Sequence, residues 1–133
     1  MSFAFPYKFR KFDNVVIPYP EVTVSLKTFN GNQQFSFILD TGADITTMPS
    51  YMIQVLQIDP TKLAKSYSHG INSDPVSTRN ASVIATIGAT TFQLPVSFID
   101  NNSLPFLLGK EGLFDQFNIV FDNDRKETIL HVR

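Results

Sequence analysis

Apolar and polar residues alternate with a period of two through most of this chain, the pattern of half-buried antiparallel strands. Val22, Val24 and Leu26 alternate with Thr23, Ser25 and Lys27, and Asn30-Gly31 then supplies a favoured two-residue hairpin turn. The next strand, Gln33 to Leu39, carries Phe35, Phe37 and Leu39 on one side and ends directly at Asp40. Ile45 to Met48 reads as a short strand, and Pro49-Ser50 opens a brief helix through Met52, Val55 and Leu56. A second hairpin follows, with Val83, Ala85 and Ile87 on its first strand, Gly88-Ala89 at the turn, and Phe92, Leu94, Val96 and Phe98 on the way back. Pro105 to Gly109 is an apolar run too brief for a helix and suited to a fully buried strand. Lys110 to Gln116 predicts one or two helical turns. Phe117 to Phe121, a turn at Asn123-Asp124, and Glu127 to Val132 complete a last hairpin. The expected fold class is all-β with one or two short helices, as a single domain over residues 1–133 in which residues 1–14 form an N-terminal extension.

Composition narrows this picture. At 133 residues the chain can bury one real core, and thirteen phenylalanines with no tryptophan and no cysteine imply a core held by packing, not by disulfides. The lack of cysteine suits a reducing compartment. A net charge of -1 with scattered basic residues gives no electrostatic footprint for nucleic acid. The charged residues near the N-terminus follow only a very short apolar stretch, unlike a secretory signal, and no window approaches eighteen apolar residues. A soluble, cytoplasmic protein with no membrane partner is expected. Asn80 and Asn101 each begin an Asn-x-Ser triplet, which carries weight only in a secreted protein.

The chemistry concentrates in Phe37-Ile-Leu-Asp-Thr-Gly-Ala-Asp44. Asp-Thr-Gly alone is a weak signal, equally a tight turn after a strand. Here it follows an apolar strand, precedes a small residue and a second aspartate, and is matched by the later segment Phe106-Leu107-Leu108-Gly109. With these two signatures in this order, the chain from about Val15 to Val132 resembles the retropepsins, the aspartic peptidases of retroviruses and their cellular relatives. The resemblance implies a single-lobe acid-protease barrel, homodimeric, that hydrolyses peptide bonds inside extended chains without cofactor or metal.

Metal-free hydrolysis of an amide requires one carboxylate to take a proton from water while a neighbouring carboxylic acid donates to the carbonyl. Two acids about 3 Å apart cannot both ionise and so hold one proton between them; aspartic proteases are the type case. Only one such triplet occurs here, so the second carboxylate has to come from another copy, and an isologous dimer places Asp40 opposite its own symmetry mate. By the resemblance, Asp40, Thr41 and Gly42 are the catalytic set: Thr41 braces the two loops across the axis, and Gly42 lets backbone approach the carboxylates. The resemblance also assigns substrate binding to Ala43, Asp44, Gly70 and Ile71. Asp44 would contact the substrate main chain and pair with Lys110, where many relatives have arginine.

For the flap that covers substrate in this family, Ser66 to Ser77 is the nominated hairpin, with Gly70 and Ile71 nearest the substrate. The usual glycine-rich tip is replaced by Gly70-Ile-Asn-Ser-Asp-Pro75. Ile45, Ile71 and Val76 are the expected apolar pocket residues. His69 and His131 read as bystanders, and Phe114, Phe117 and Phe121 as buried supports of the last hairpin. Asp122-Asn-Asp124 lacks the glycine and glutamate of a calcium loop. Lys126 to Arg133 is the expected interface strand, with the residues before Val15 as the other candidate. The competing readings are a catalytically silent dimer that binds peptide or serves assembly, and an unrelated β-barrel module in which Asp-Thr-Gly is only a turn.

Overall fold

A computed structural model describes residues 1–69 and 75–133. The chain opens with three strands that the periodicity does not predict: β1 (Ser2–Pro6), β2 (Lys8–Phe12) and β3 (Val15–Tyr19). β1 alternates, with Phe3 and Phe5 packed against the core, but over only five residues. β2 and β3 pair as a hairpin in which every residue but Tyr19 is exposed, so no burial rhythm marks them in sequence. The boundary expected before Val15 falls inside this structure, at the first residue of β3.

β4 (Glu21–Thr28) and β5 (Gly31–Leu39) form the first barrel hairpin, and their inward residues Val22, Val24, Leu26, Phe37 and Leu39 are buried. Its turn differs from the expected Asn30-Gly31. Phe29 and Asn30 occupy the bend without positive φ, and Gly31 takes a φ of 85° as the first residue of β5. Thr28 fixes this closure: its hydroxyl accepts from the Asn30 amide at 3.1 Å and donates to the Gly31 carbonyl at 2.7 Å. Asparagine followed by glycine therefore serves a turn shifted back by one residue, because the threonine side chain caps it.

The middle of the chain supplies β6 (Thr46–Pro49), α1 (Met52–Val55), a single 3-10 turn at Pro60–Lys62, β7 (Ala64–His69), β8 (Pro75–Ile87) and β9 (Thr90–Ile99). Gly88-Ala89 joins β8 to β9 as expected, with positive φ at Gly88 alone, as a type II′ turn requires. β10 (Leu107–Leu108), α2 (Leu113–Gln116), β11 (Phe117–Asp122) and β12 (Glu127–Val132) complete the chain.

Seven strands lie in the order β4-β5-β10-β6-β9-β8-β7, and a further β4–β8 pairing at Ser25↔Thr86 and Leu26↔Ala85 closes the sheet into a barrel. Closure covers the edge that β4 would otherwise expose, and β7 remains the outer strand. The core runs continuously from Val22 and Val24 through Met48, Leu94, Val96 and Phe98 to Leu108, Leu113 and Leu130. β10 is short but decisive for the site, since it pairs parallel to the end of β5 and antiparallel to β6.

At the C-terminal end β12 is the central strand of a three-stranded sheet, β1-β12-β11, with Thr128 and Leu130 fully buried, so the outer edges of that sheet belong to β1 and β11. Residues at both ends of the chain thus satisfy one another's backbone within the same molecule. Of the three phenylalanines expected to be buried here, only Phe117 is, packed edge-on to Phe92 at 5.8 Å between ring centres. Phe114 and Phe121 are 38% and 42% exposed. β11 runs out from the barrel, so side chains of one parity pass from buried Phe117 through half-buried Ile119 to exposed Phe121. No helix among the described residues is long and apolar enough to cross a membrane.

Candidate active site

β5 delivers Asp40 to the mouth of the barrel, where the chain turns away before β6. The Asp40 amide donates to the Leu108 carbonyl at 2.9 Å, and its carbonyl accepts from the Ala43 amide at 3.1 Å. Within this turn the side chain is oriented too, because its Oδ1 accepts from the Gly42 amide at 2.9 Å. A Cβ at Gly42 would sit 3.2 Å from that same oxygen, tighter than ordinary contact. Asp40 is half-buried, while Thr41, Gly42 and Asp44 are exposed and Ala43 is intermediate.

The loop is clamped from behind by the segment that follows β10. The Gly109 amide donates to the Thr46 hydroxyl at 3.0 Å, Lys110 to the Ala43 carbonyl at 3.0 Å, and Glu111 to the Asp44 carbonyl at 2.8 Å. Such close approach needs glycine: a Cβ at position 109 would lie 2.5 Å from the Ile45 carbonyl carbon. The Lys110 Nζ lies 3.0 Å from Asp44 Oδ1, so the lysine reaches the aspartate, as a single point contact. With Asp44 92% exposed, solvent screening holds that pair to about 0–1 kcal/mol.

A cavity of about 500 Å³ opens beside the loop, lined by Leu39, Asp40 and Thr41 together with Tyr7, Pro18, Tyr19, Pro20, Ile38, Phe121 and Asn123. Asp40 is the only acid among the described residues of that lining. Tyr7 is buried and donates its hydroxyl to Asn123 Oδ1 at 2.9 Å. Burial first, and the Asp122 carboxylate second, push its pKa above the ordinary 10.0, so it stays a neutral donor. On the other side of Thr41 lies a second cavity of about 390 Å³, lined with Phe114, Phe117, Asn118, Ile119, Phe121 and Arg133.

β7 and β8 pair from Ala64↔Asn80 to His69↔Pro75, a hairpin that contains the nominated flap arms. Gly70 and Ile71 lie outside the described residues, and Val76 and His69 are described only by their places in β8 and β7. At the base of the arms Asn80 Nδ2 donates to Ser66 Oγ at 2.7 Å, and Asn80 Oδ1 accepts from Ser97 Oγ. Ser66 Oγ and Thr78 Oγ1 share a further hydrogen bond of 2.8 Å. His131 Nδ1 meets Ser2 Oγ in a cross-strand pair. Asp122 Oδ1 accepts from the amides of Asp124 and Arg125 and so closes the last turn.

Sequence reasoning missed Thr46 and the cavity walls. A buried hydroxyl in the run Ile45 to Met48 must find a partner, so Thr46 was detectable in principle. Tyr7, Pro18 and Pro20 carried no local signal, since only the fold brings them to Asp40.

A closed β-barrel bearing one Asp-Thr-Gly loop, clamped by a parallel apolar-apolar-Gly segment, has the architecture of a single-lobed aspartic protease. The chain belongs to the retropepsin-like aspartyl proteases: residues 26–113 match the family model described as "gag-polyprotein putative aspartyl protease". Among solved structures, a retropepsin-like aspartic protease from Rickettsia conorii shares the fold with a TM-score of 0.64 and 20% identity, over 98% of this chain and 91% of that one. No curated protein matches the sequence.

Proposed function

We propose that this protein is an aspartic endopeptidase that works as a homodimer, with Asp40 of each copy forming the catalytic pair. The observation that carries the reading is a carboxylate oriented by its own loop, the one acid among the described residues of its cavity, next to an exposed Thr41. One such group cannot serve as both base and acid in the same step. A second copy related by a twofold axis supplies the other.

In the proposed reaction the ionised Asp40 removes a proton from water as the oxygen attacks the scissile carbonyl, and the protonated Asp40 of the second copy gives its proton to the carbonyl oxygen. The tetrahedral diol then collapses, returning a proton to the leaving nitrogen as the C–N bond breaks. Gly42 keeps one Asp40 oxygen fixed through its amide, and Thr41 braces the facing loops. Substrate lies as an extended strand between the loop and the β7–β8 hairpin, with main-chain hydrogen bonds to Ala43, Asp44, Gly70 and Ile71 and side chains in apolar pockets that include Ile45.

Asp40→Asn is the direct variant. It should lower cleavage of a mixed peptide library, assayed between about pH 4 and 7 where a shared-proton pair works, by more than about 10²-fold. Sedimentation of the variant should match wild type. Undiminished cleavage would reject the protease reading, and a wild type that dimerises and binds peptide but cuts nothing would favour the silent dimer.

A further inference from the structure

Apart from Pro18 and Tyr19 at its root, the β2–β3 hairpin buries almost nothing in the molecule that contains it. A two-stranded ribbon is marginal in water unless one face is covered, yet Phe9, Phe12, Val15, Val16 and Ile17 are all 47% exposed or more. It belongs to no larger sheet. At its root Tyr7 ties down through its amide to the Lys126 carbonyl at 2.8 Å and through its hydroxyl to Asn123. Cross-strand register places Phe12 opposite Val15 and Arg10 opposite Ile17, so Phe12, Val15 and Ile17 share one face. On that face the Arg10 guanidinium stacks over the Tyr19 ring at 4.7 Å.

Three observations point to a second copy of this chain as the cover. The hairpin leaves from the site face, since Pro18, Tyr19 and Pro20 wall the same cavity as Asp40 and Thr41. A groove of mixed lining adjoins that cavity, sharing Thr41 and Phe121 with it, exposing Phe114, and carrying Asn118 and Arg133 beside its phenylalanines. The area also fits. A compact monomer of 15.0 kDa presents roughly 7,000 Å², whereas this chain presents 8250 Å². The excess, on the order of 1,200 Å², belongs to everything that projects from the barrel, the β2–β3 and β7–β8 hairpins together, and leaves surface enough for a standard interface of roughly 800 Å² per partner.

We propose that the β2–β3 hairpin is a dimerisation arm, which lies across a second copy and seats Phe12, Val15 and Ile17 in that copy's groove at Phe114, Ile119 and Phe121. The inference rests on the dimeric reading above and names the surfaces that make it. Because the contact is isologous, arm meets groove twice, once on each side of the facing Asp40 loops. Lys8, Arg10 and Lys11 guard the arm against open-ended strand pairing in the free monomer.

The test uses the full chain. The double variant Phe12→Ser/Ile17→Thr changes side chains exposed in the monomer, so its thermal midpoint at monomer concentrations should stay within a few degrees of wild type. Its dimer dissociation constant by sedimentation should rise at least tenfold. Ile84→Thr, on an exposed face of β8 away from the groove, should leave dimerisation unchanged. The chain has no cysteine, so a Phe12→Cys chain mixed with a Phe114→Cys chain should form a mixed disulfide on mild oxidation, well above the yield of Phe12→Cys with Ile84→Cys. Wild-type dimerisation and cleavage retained by the double variant would overturn the arm while leaving the protease reading intact. So would normal dimerisation together with lost binding to phosphatidylserine-containing vesicles, which would assign the apolar and basic hairpin to lipid. A wild type that is monomeric at every concentration and cleaves nothing would remove the dimeric reading and the arm together.

Discussion

At the scale of single residues, the loop at Asp40 depends on two buried positions behind it. Gly109 brings the segment after β10 against the Ile45 backbone, and Thr46 receives the Gly109 amide through a fully buried hydroxyl. Gly109→Ala forces a methyl into a space already occupied by backbone, which should cost about 1–3 kcal/mol and shift the loop. Thr46→Val keeps the shape but orphans a buried amide, with an expected cost of about 1–3 kcal/mol. Urea unfolding of both variants checks this; losses below about 0.5 kcal/mol would show that the clamp is dispensable. The Lys110–Asp44 pair is a different case, since its exposure leaves little stability to lose and any importance would lie in substrate contact.

Among the elements, the barrel strands were legible because burial writes a period of two into them. β4, β9 and the inner half of β8 follow their predicted alternation, and Leu107-Leu108 was recognisable from its brevity and its glycine. β2 and β3 were hidden for the converse reason, being exposed on both faces, and the fate of Phe121 depends on β11 leaving the barrel, which no local pattern encodes. The Asp-Thr-Gly loop could be read directly, but its cavity walls come from the far end of the chain and could not. One element carries a prediction of its own. Asn80 joins Ser66 of β7 to Ser97 of β9 and so pins the β7–β8 arms to the barrel. Asn80→Ala removes both hydrogen bonds, at about 1 kcal/mol of local stability. Amide exchange across Ala64–His69 should quicken roughly fivefold while β4 and β5 remain protected; unchanged exchange would place the anchor elsewhere.

For the whole molecule, three facts converge on one face. The lone oriented carboxylate, the exposed phenylalanines of the α2–β11 region and the root of an uncovered hairpin all border the cavities on either side of Thr41. Within the chain the terminal strands pair as β1-β12-β11, which occupies both edges of β12 and leaves the outer edges of that sheet to β1 and β11. A barrel of this size has a core of its own and can fold as one unit, which separates folding from activity: under the proposed mechanism a monomer would be folded and inert. Mixing subunits isolates that claim. A fixed amount of wild type, well above its dimer dissociation constant, is titrated with Asp40→Asn chains and allowed to exchange before peptide cleavage is measured. If the reaction needs Asp40 from both copies, random pairing brings activity to about half at equal amounts and toward zero in excess variant. Activity that stays constant as the variant is added would show that each chain cuts alone and would contradict the account.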